Sequence, residues 1–591
     1  MDTKAILTSA ILLASLLNPF LTFCQQLPYG KMTDWSMAGL LNQFPNFDTI
    51  NVLEQGIVAD GETPCDQGLS ALLNDFKDNP TVFFFPPGEY YFTQGIQLLK
   101  GQVLKGASAT ETHLIFDLTE EDHLISASGK IKTDTAWLTA KARKDSTTIF
   151  IDDPDGVFKA GDFVKFVVDD VELVTSDWAL NSTGQICKIL SAENGKLTIH
   201  RPLRRSFPLA EEPRLVKIRP VQFVGVECLS IERKDTTLTQ TSNIYFNMAA
   251  NCRVTGIASQ NCNFAHLTLQ QSTQMEVSGC HFQDAFQYGG GGQGYGVVLQ
   301  FNTGDCLVQN NIFQHLRHSM LLQAGANGNV LAYNYSTQPF WTETNLPASA
   351  AGDLVLHGNF VYENLLEGNI VQNIVIDDSH GINGPGNTFF RNRAELFGIF
   401  MNNNPASSGQ LFIGNEVTSS LPYTGLYVLS GDSHFEYGNN VKGSMQPPNS
   451  STLPQLSLFL PTSPPFFEEM EMPFASIGLP NNLNSGTIPA KAHFLAGEMT
   501  SCEMPPPVVI SDTEEAHSEE RLVYPNPTTG ILYLNINEKS ELRLVDFTGK
   551  TVLQTTLENG QALHLPQLPK GVYSLTALAS GQLHSAKVIL Q

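Results

Sequence analysis

Charge is scarce in this sequence, and positive charge scarcer still. Charged residues make up 16% of the chain, with 34 Lys and Arg against 58 Asp and Glu, for a formal net charge of −24. No basic stripe is available for a phosphate backbone, so nucleic acid is excluded as the expected partner. A polyanionic substrate is not excluded, because a local arginine patch acts over distances of about a Debye length whatever the net charge. Metal-binding spacings are missing as well. No CxxC or paired-histidine motif announces structural zinc. The glycine-rich "YGGGGQGYG" (Tyr288 to Gly296) lacks the Lys-Ser/Thr that a phosphate loop needs. Long apolar runs are absent after the N-terminus, so no later spanning helix is expected.

What is present begins with a leader. "MDTK" carries a lysine, "AILTSAILLASLL" is an apolar core too short to span a bilayer, and "NPFLTFCQQ" exits in polar residues. Residues 1–24 therefore read as a signal peptide cleaved near Cys24. Lipidation of Cys24 is the lesser alternative, since bulky Phe23 precedes it. Eight further cysteines follow no close pairing pattern. Several stand in apolar contexts such as "NCRVTGI" and "DCLVQNN", so they read as small buried strand residues and not as a disulfide framework.

At 591 residues the chain is too long for one core. From Asn51 a glycine turn leads to a short amphipathic helix ("GLSALLNDF"), then to "TVFFF", "PPG" and "EYYF". Residues 50–129 thus open an all-β body with a capping helix. Residues 130–220 hold longer alternating strands ("TTIFIDDPDGVFKAGDFVKFVV"), which predicts an inserted β-rich subdomain. Over 221–442 short strands resume with a repeat. "NNIF", "YNYS", "GNIV", "RNRA" and "GNEV" place Asn311, Asn334, Asn369, Asn392 and Asn415 at steps of 23, 35, 23 and 23, the long step being one period plus a 12-residue insertion. Such a period with asparagine turns predicts a parallel β-helix whose asparagines stack as a ladder. Residues 443–521 are Pro-rich and then acidic, a packing segment followed by a linker. Residues 522–591 return to alternating strands as a separate β unit.

The repeat allows side chains to be stacked. Twelve residues before three of the ladder asparagines stand His357, His380 and Asn403, and Gln300 and Gln323 continue that column. Val297, Leu299, Met320, Leu322, Leu354 and Leu356 form the more apolar face and are expected to point inward. The Gln/His/His/Asn column then points outward, with Asp378 beside His380 and Asp377 on the nominally inward face. Arg391 and Arg393 flank the inward Asn392 and are expected outside, and "LRHSM" adds Arg317 and His318. A pair of imidazoles beside a carboxylate can supply a base and an acid, and an arginine can neutralise a uronic carboxylate before its α-proton leaves. The candidate catalytic residues are therefore His357, Asp377, Asp378, His380, Arg391 and Arg393. Candidate substrate contacts are Gln300, Gln323, Arg317, His318, Asn403, Tyr295 in the glycine-rich rim, and Trp341 in the inserted loop "STQPFWTETNLPASAAGD", where a tryptophan can stack on a sugar. The bland alternative for each is structural: stacked polar residues satisfying one another, an aspartate capping a turn, arginines in solvated ion pairs. No motif demands a cofactor; calcium is the ion carried as a candidate.

Two resemblances sharpen these expectations. "FPPGEY" after its acidic-Gly turn and helix, with "RHSMLLQAGANGNVLAYNYS" and "DLVLHGNFVYENLLEGNIVQNIVIDDSHGINGPGNTFFRNR", resembles pectate-lyase-like right-handed parallel β-helix proteins over roughly residues 50 to 500. This implies a polysaccharide-active protein, lyase ahead of hydrolase, with a non-catalytic glycan-binding or adhesin-like β-helix as the rival; the basic residues of typical pectate lyases are not clearly reproduced. "YPNPTTG", "DFTGK", "LPKGVYSL" and the closing "KVIL" resemble the type A C-terminal sorting domain of the type IX secretion system. That implies a Bacteroidetes-type host, export through periplasm and outer membrane, and the secretion machinery as a partner of a monomeric, secreted or surface protein.

Overall fold

The computed structural model describes residues 27–502, except 41, 43 and 451, and most of 523–590. The expected leader with Cys24 and the expected linker over 503–521 lie outside the described residues. The chain divides into two units, Met1–Pro507 and Val508–Gln591.

The first unit is built of coils, each carrying three short strands. One coil contributes Leu307–Gln309, Ile312–Gln314 and His318–Leu322; the next contributes Val330–Ala332, Tyr335–Thr337 and Leu354–Leu356. Equivalent strands pair in parallel, with Leu307 opposite Val330, Ile312 opposite Tyr335 and Met320 opposite Leu354. The architecture is the expected parallel β-helix. The helix Asp66–Asp75 buries Leu69, Leu72 and Leu73 against the first coils. The residues expected inward are inside: Val297, Leu299, Met320, Leu322, Leu354 and Leu356 belong to one continuous core. Each such side chain contributes about 1.5–3 kcal/mol by leaving water.

The turns explain the repeat. Asn311, Asn334, Asn369, Asn392, Asn415 and Asn439 form one ladder, each Nδ2 donating to the next Oδ1 at 2.9–3.1 Å. The same oxygens accept the backbone N–H of the preceding asparagine, so that buried peptide group is paired. A second ladder, Asn329–Asn364–Asn387–Gln410, stacks at another corner. The residue before each first-ladder asparagine is left-handed, with φ of 51° at Asn310, 56° at Tyr333, 66° at Gly368 and 54° at Arg391. That conformation turns the chain sharply and aims the residue's side chain away from the core.

Between coils an antiparallel six-stranded sheet is inserted, in the order Thr148–Phe150, Lys196–Ile199, Ile186–Glu193, Phe163–Val167, Arg214–Arg219, Lys130–Trp137. It has its own core around Phe166, Phe207 and Leu215. After the last coils, residues 443–502 run back along the outside as a strap with two short helices, Pro465–Glu468 and Pro489–Ala496. The strap packs Phe459, Phe466, Phe467 and Phe474 around Tyr333. The second unit is antiparallel, with a three-stranded and a four-stranded sheet around Leu532, Leu544 and Leu575.

Candidate functional site

The site lies on the outer surface of the strands Tyr295–Gln300, His318–Leu322, Leu354–Leu356, Ile370–Ile376 and Arg393–Met401. Their register sets a column at the C-terminal strand ends. Leu322 pairs with Leu356, Leu356 with Ile376, and Ile376 with Met401. The residues that follow are Gln323, His357, Asp377 and Asn402, continuing Gln270 and Gln300 from the coils before. The glutamine amides hydrogen-bond along the axis, Gln323 to Gln300 at 2.7 Å and Gln300 to Gln270 at 2.8 Å.

This corrects the expected column. The constant period predicts His380 and Asn403 after His357, but on this face the steps are not 23. From Leu356 to Ile376 the step is 20, and from Ile376 to Met401 it is 25. The 350-region insertion and a register irregularity between Val371 and Asn373 absorb the difference, while the asparagine ladder holds its own spacing. Asp377, not Asp378, therefore faces out. Asp378 is buried: one carboxylate oxygen accepts the backbone N–H and Nδ2 of Asn383 at 2.8 and 2.9 Å, the other the N–H of Ser407 at 2.9 Å. It organises the turn. Asn403 is exposed and lies just past the column.

His380 reaches the site by another route. The turn after Ile376 swings its ring back onto His357, centroid to centroid 4.4 Å and 14° from parallel. Asp377 Oδ2 stands 3.8 Å from His357 Nε2, and its other oxygen accepts the N–H of Ser379 at 2.9 Å. His318 approaches His357 edge-on at 5.8 Å. His318 Nδ1 lies 2.8 Å from the Gly352 carbonyl, so that nitrogen donates and Nε2 keeps its lone pair. Burial holds the pKa of His318 well below the usual histidine value, helped by the nearby His357 and Arg317. Burial likewise lowers His357 to about 4, with Asp377 opposing and His380 and Arg317 adding to the shift. Both rings are neutral at pH 7. His357 Nδ1 is buried without a hydrogen-bond partner.

Two walls enclose the cluster. On one side the guanidinium of Arg317 sits 5.4 Å from the Trp341 ring and 5.7 Å from that of Tyr295, and bonds the Gly289 carbonyl of the glycine-rich rim. That rim and the inserted loop are tied together, Gly290 N–H donating to Glu343 at 2.7 Å. On the other side stands the inserted β subdomain. Thr175 N–H donates to Asn359 Oδ1 at 3.1 Å, Ser176 Oγ to the His380 carbonyl at 3.3 Å, and Trp178 meets Phe301 edge-on at 5.8 Å while staying 49% exposed. Sequence reasoning missed Trp178. Nothing local in "DWALNS" marks it, because its placement depends on contacts distant in the chain, Trp178 with Phe301 and Ser176 with His380.

Arg391 and Arg393 are not in this groove. Both leave the coil outward, but at the asparagine corner, where the strap covers them. Arg391 is 2% exposed and donates to the carbonyls of Leu453, Gln455, Ile477 and Leu479 at 2.7–3.0 Å. Arg393 pairs with buried Glu416 at 2.7 Å and donates to the Gly486 carbonyl at 2.6 Å. Of the three arginines expected at the site, Arg317 is the one beside the cluster.

His357, Asp377 and His380 each bring one ligand atom within 4.8 Å of the others. Two imidazoles and a carboxylate suit a transition-metal ion and not calcium, which takes six to eight oxygens. The imidazole planes are nearly parallel, so their in-plane lone pairs do not meet at one point.

Two family models match the chain. Residues 49–159 match "Rhamnogalacturonase A/epimerase, pectate lyase-like", and residues 522–591 match "Secretion system C-terminal sorting domain". Among curated proteins no match is found. Among solved structures, the tailspike protein gp49 of Pseudomonas phage LKA1 is 15% identical, with a TM-score of 0.46 over 63% of this chain and 64% of that one. The tailspike gp61 of Pseudomonas phage phi297 is 14% identical, with a TM-score of 0.41 over 68% and 72%. An iota-carrageenase complexed to iota-carrageenan fragments is 9% identical, with a TM-score of 0.33 over 58% and 59%. The chain thus carries a pectate-lyase-like segment over its first coils and the start of the inserted sheet, and a type IX sorting domain at its C-terminus, which marks it for the cell surface or for secretion.

Proposed function

We propose that the groove cleaves an acidic polysaccharide by β-elimination. The observation that carries this reading is the composition of the cluster: two stacked imidazoles, one outward carboxylate and one cation. Hydrolysis of a glycoside ordinarily uses two carboxylates flanking the bond, and the cluster offers only Asp377. Elimination needs a base for the proton α to a uronate carboxylate, a cation on that carboxylate, and a proton for the leaving oxygen. Arg317, held by Trp341 and Tyr295, takes the uronate carboxylate. His380, the exposed ring, removes the α-proton; the C–H electrons form the new double bond as the bond to the glycosidic oxygen breaks. The imidazolium then returns a proton to that oxygen. Neutral His357 supports the His380 ring without adding a second positive charge, and Asp377 offsets the charge the pair acquires. Gln300 and Gln323 extend the polar floor for neighbouring sugars, between Trp178 and Trp341.

The test is a panel of uronate-containing and neutral polysaccharides, read by absorbance of the unsaturated uronate and by reducing-end release. Unsaturated product from an acidic polymer, lost in His380→Ala, supports the reading. Reducing ends without unsaturation point to hydrolysis, and binding without any product points to a glycan-binding surface; either overturns it.

A further inference from the structure

Most cysteines of the β-helix point their thiols at backbone carbonyls inside the core, as Cys252, Cys280 and Cys306 do toward Ala250, Ser278 and Gly304. One pair differs. Cys228, in a left-handed turn (φ 52°) after the strand Gly225–Glu227, meets Cys502 at the end of the strap. Cys228 Sγ is 3.6 Å from the Cys502 carbonyl oxygen, and Cys502 Sγ is 3.7 Å from the Gly256 carbonyl oxygen. They are 274 residues apart in sequence.

The seat under this end of the strap is built for close approach. Ser501 N–H donates to the Gly279 carbonyl at 2.9 Å. A Cβ on Gly256 or on Gly279 would stand 2.6 Å from the Ser501 carbonyl oxygen, and both glycines are left-handed at φ 62°. Only glycine lets the strap lie so near the coil at these two turns. The sorting domain sends the chain out of the reducing cytoplasm, into compartments where apposed thiols oxidise.

We propose that Cys228 and Cys502 form a disulfide in the exported protein, fastening the end of the strap to the early coils. The oxidant is the disulfide of a thiol–disulfide oxidoreductase. Cys502, half-buried where Cys228 is buried, attacks first as thiolate and forms a mixed disulfide. Cys228 thiolate then displaces the enzyme's sulfur. The chain gains one S–S bond and gives up two electrons and two protons; the oxidoreductase leaves as its dithiol. The Cys228 side chain beside it lowers the Cys502 thiol, and the Cys502 side chain together with burial raises that of Cys228, which matches the order of attack. Cys502 directly precedes the Pro-rich, acidic stretch that leads to the sorting domain. A staple there separates the strap's attachment from whatever happens to the tail during export.

The experiment uses the full chain recovered from the surface or medium of an exporting host. It is alkylated under denaturing conditions without reductant, then digested and mapped by mass spectrometry. The expected result is a Cys228–Cys502 cross-linked peptide pair, with Cys65, Cys187, Cys252, Cys262, Cys280 and Cys306 alkylated. Recovery of Cys228 and Cys502 as alkylated thiols overturns the proposal. A reductant is also expected to lower the melting temperature of the parent by a few degrees and to leave Cys502→Ser unmoved; an equal drop in both overturns it as well.

Discussion

Two outward surfaces of the same β-helix carry the same kinds of residue and come to opposite ends. At the asparagine corner, Tyr333, Glu367, Arg391, Arg393 and Glu416 leave the coil and are closed over by the strap. On the third face, His357, Asp377 and His380 leave the coil between two aromatic walls, His380 exposed and the other two partly buried. The first surface uses its polar groups to hold one piece of chain onto another. Arg391 donates to strap carbonyls, and Glu367 accepts the Leu458 N–H at 2.8 Å and the Tyr333 hydroxyl at 2.5 Å. The second is not covered by the strap, and there the proposed function places the polysaccharide. Polar residues on a coil's outside thus divide by what lies over them, not by type.

Breaking the covered surface has the largest expected effect. Arg391→Met removes the guanidinium that donates to four strap carbonyls, and is expected to cost about 3 kcal/mol or more in chemical denaturation, with turnover per folded molecule unchanged. A turnover loss at full stability would mean that Arg391 serves the groove after all. Glu367 gives the same surface a pH signature. Burial raises its pKa from 4.5 to about 7, so the folded state holds the proton more tightly than the unfolded chain. Its contribution is fully present below about pH 4.5 and is lost as pH rises through 7, on the order of 3 kcal/mol. Glu367→Gln is expected to remove that loss, seen as a flatter dependence of melting temperature on pH between 5 and 8. A parent whose stability does not fall over that range contradicts it.

The open surface is expected to answer in chemistry. His380→Ala lowers turnover on an acidic polymer by about 10²-fold while stability moves by no more than about 0.5 kcal/mol. Unfolding in place of inactivation would put His380 with the covered group. The smallest effect belongs to the wall. Trp178→Ala is expected to weaken polymer binding by about fivefold, roughly 1 kcal/mol of ring contact, in a titration that leaves the melting curve unchanged. Full binding by that variant would remove the inserted subdomain from the groove.

The sequence alone determined the coil. The 23-residue spacing of Asn369, Asn392 and Asn415, and the inward Leu and Val of each short strand, are enforced locally. A buried amide must reach the next amide, and an apolar side chain must leave water. The 522–591 motifs marked export in the same local way. His357 and His380 were also legible as a stacked pair, although Asp378 and Asp377 exchanged faces, because strand steps of 20 and 25 hid behind a constant corner spacing. Which outward residues stay open was decided only in three dimensions. A period of 23 states whether a side chain points in or out. Whether a strap from residue 455 or a loop from residue 178 then lies over it depends on long-range packing, which leaves no trace in the spacing around Arg391 or His380.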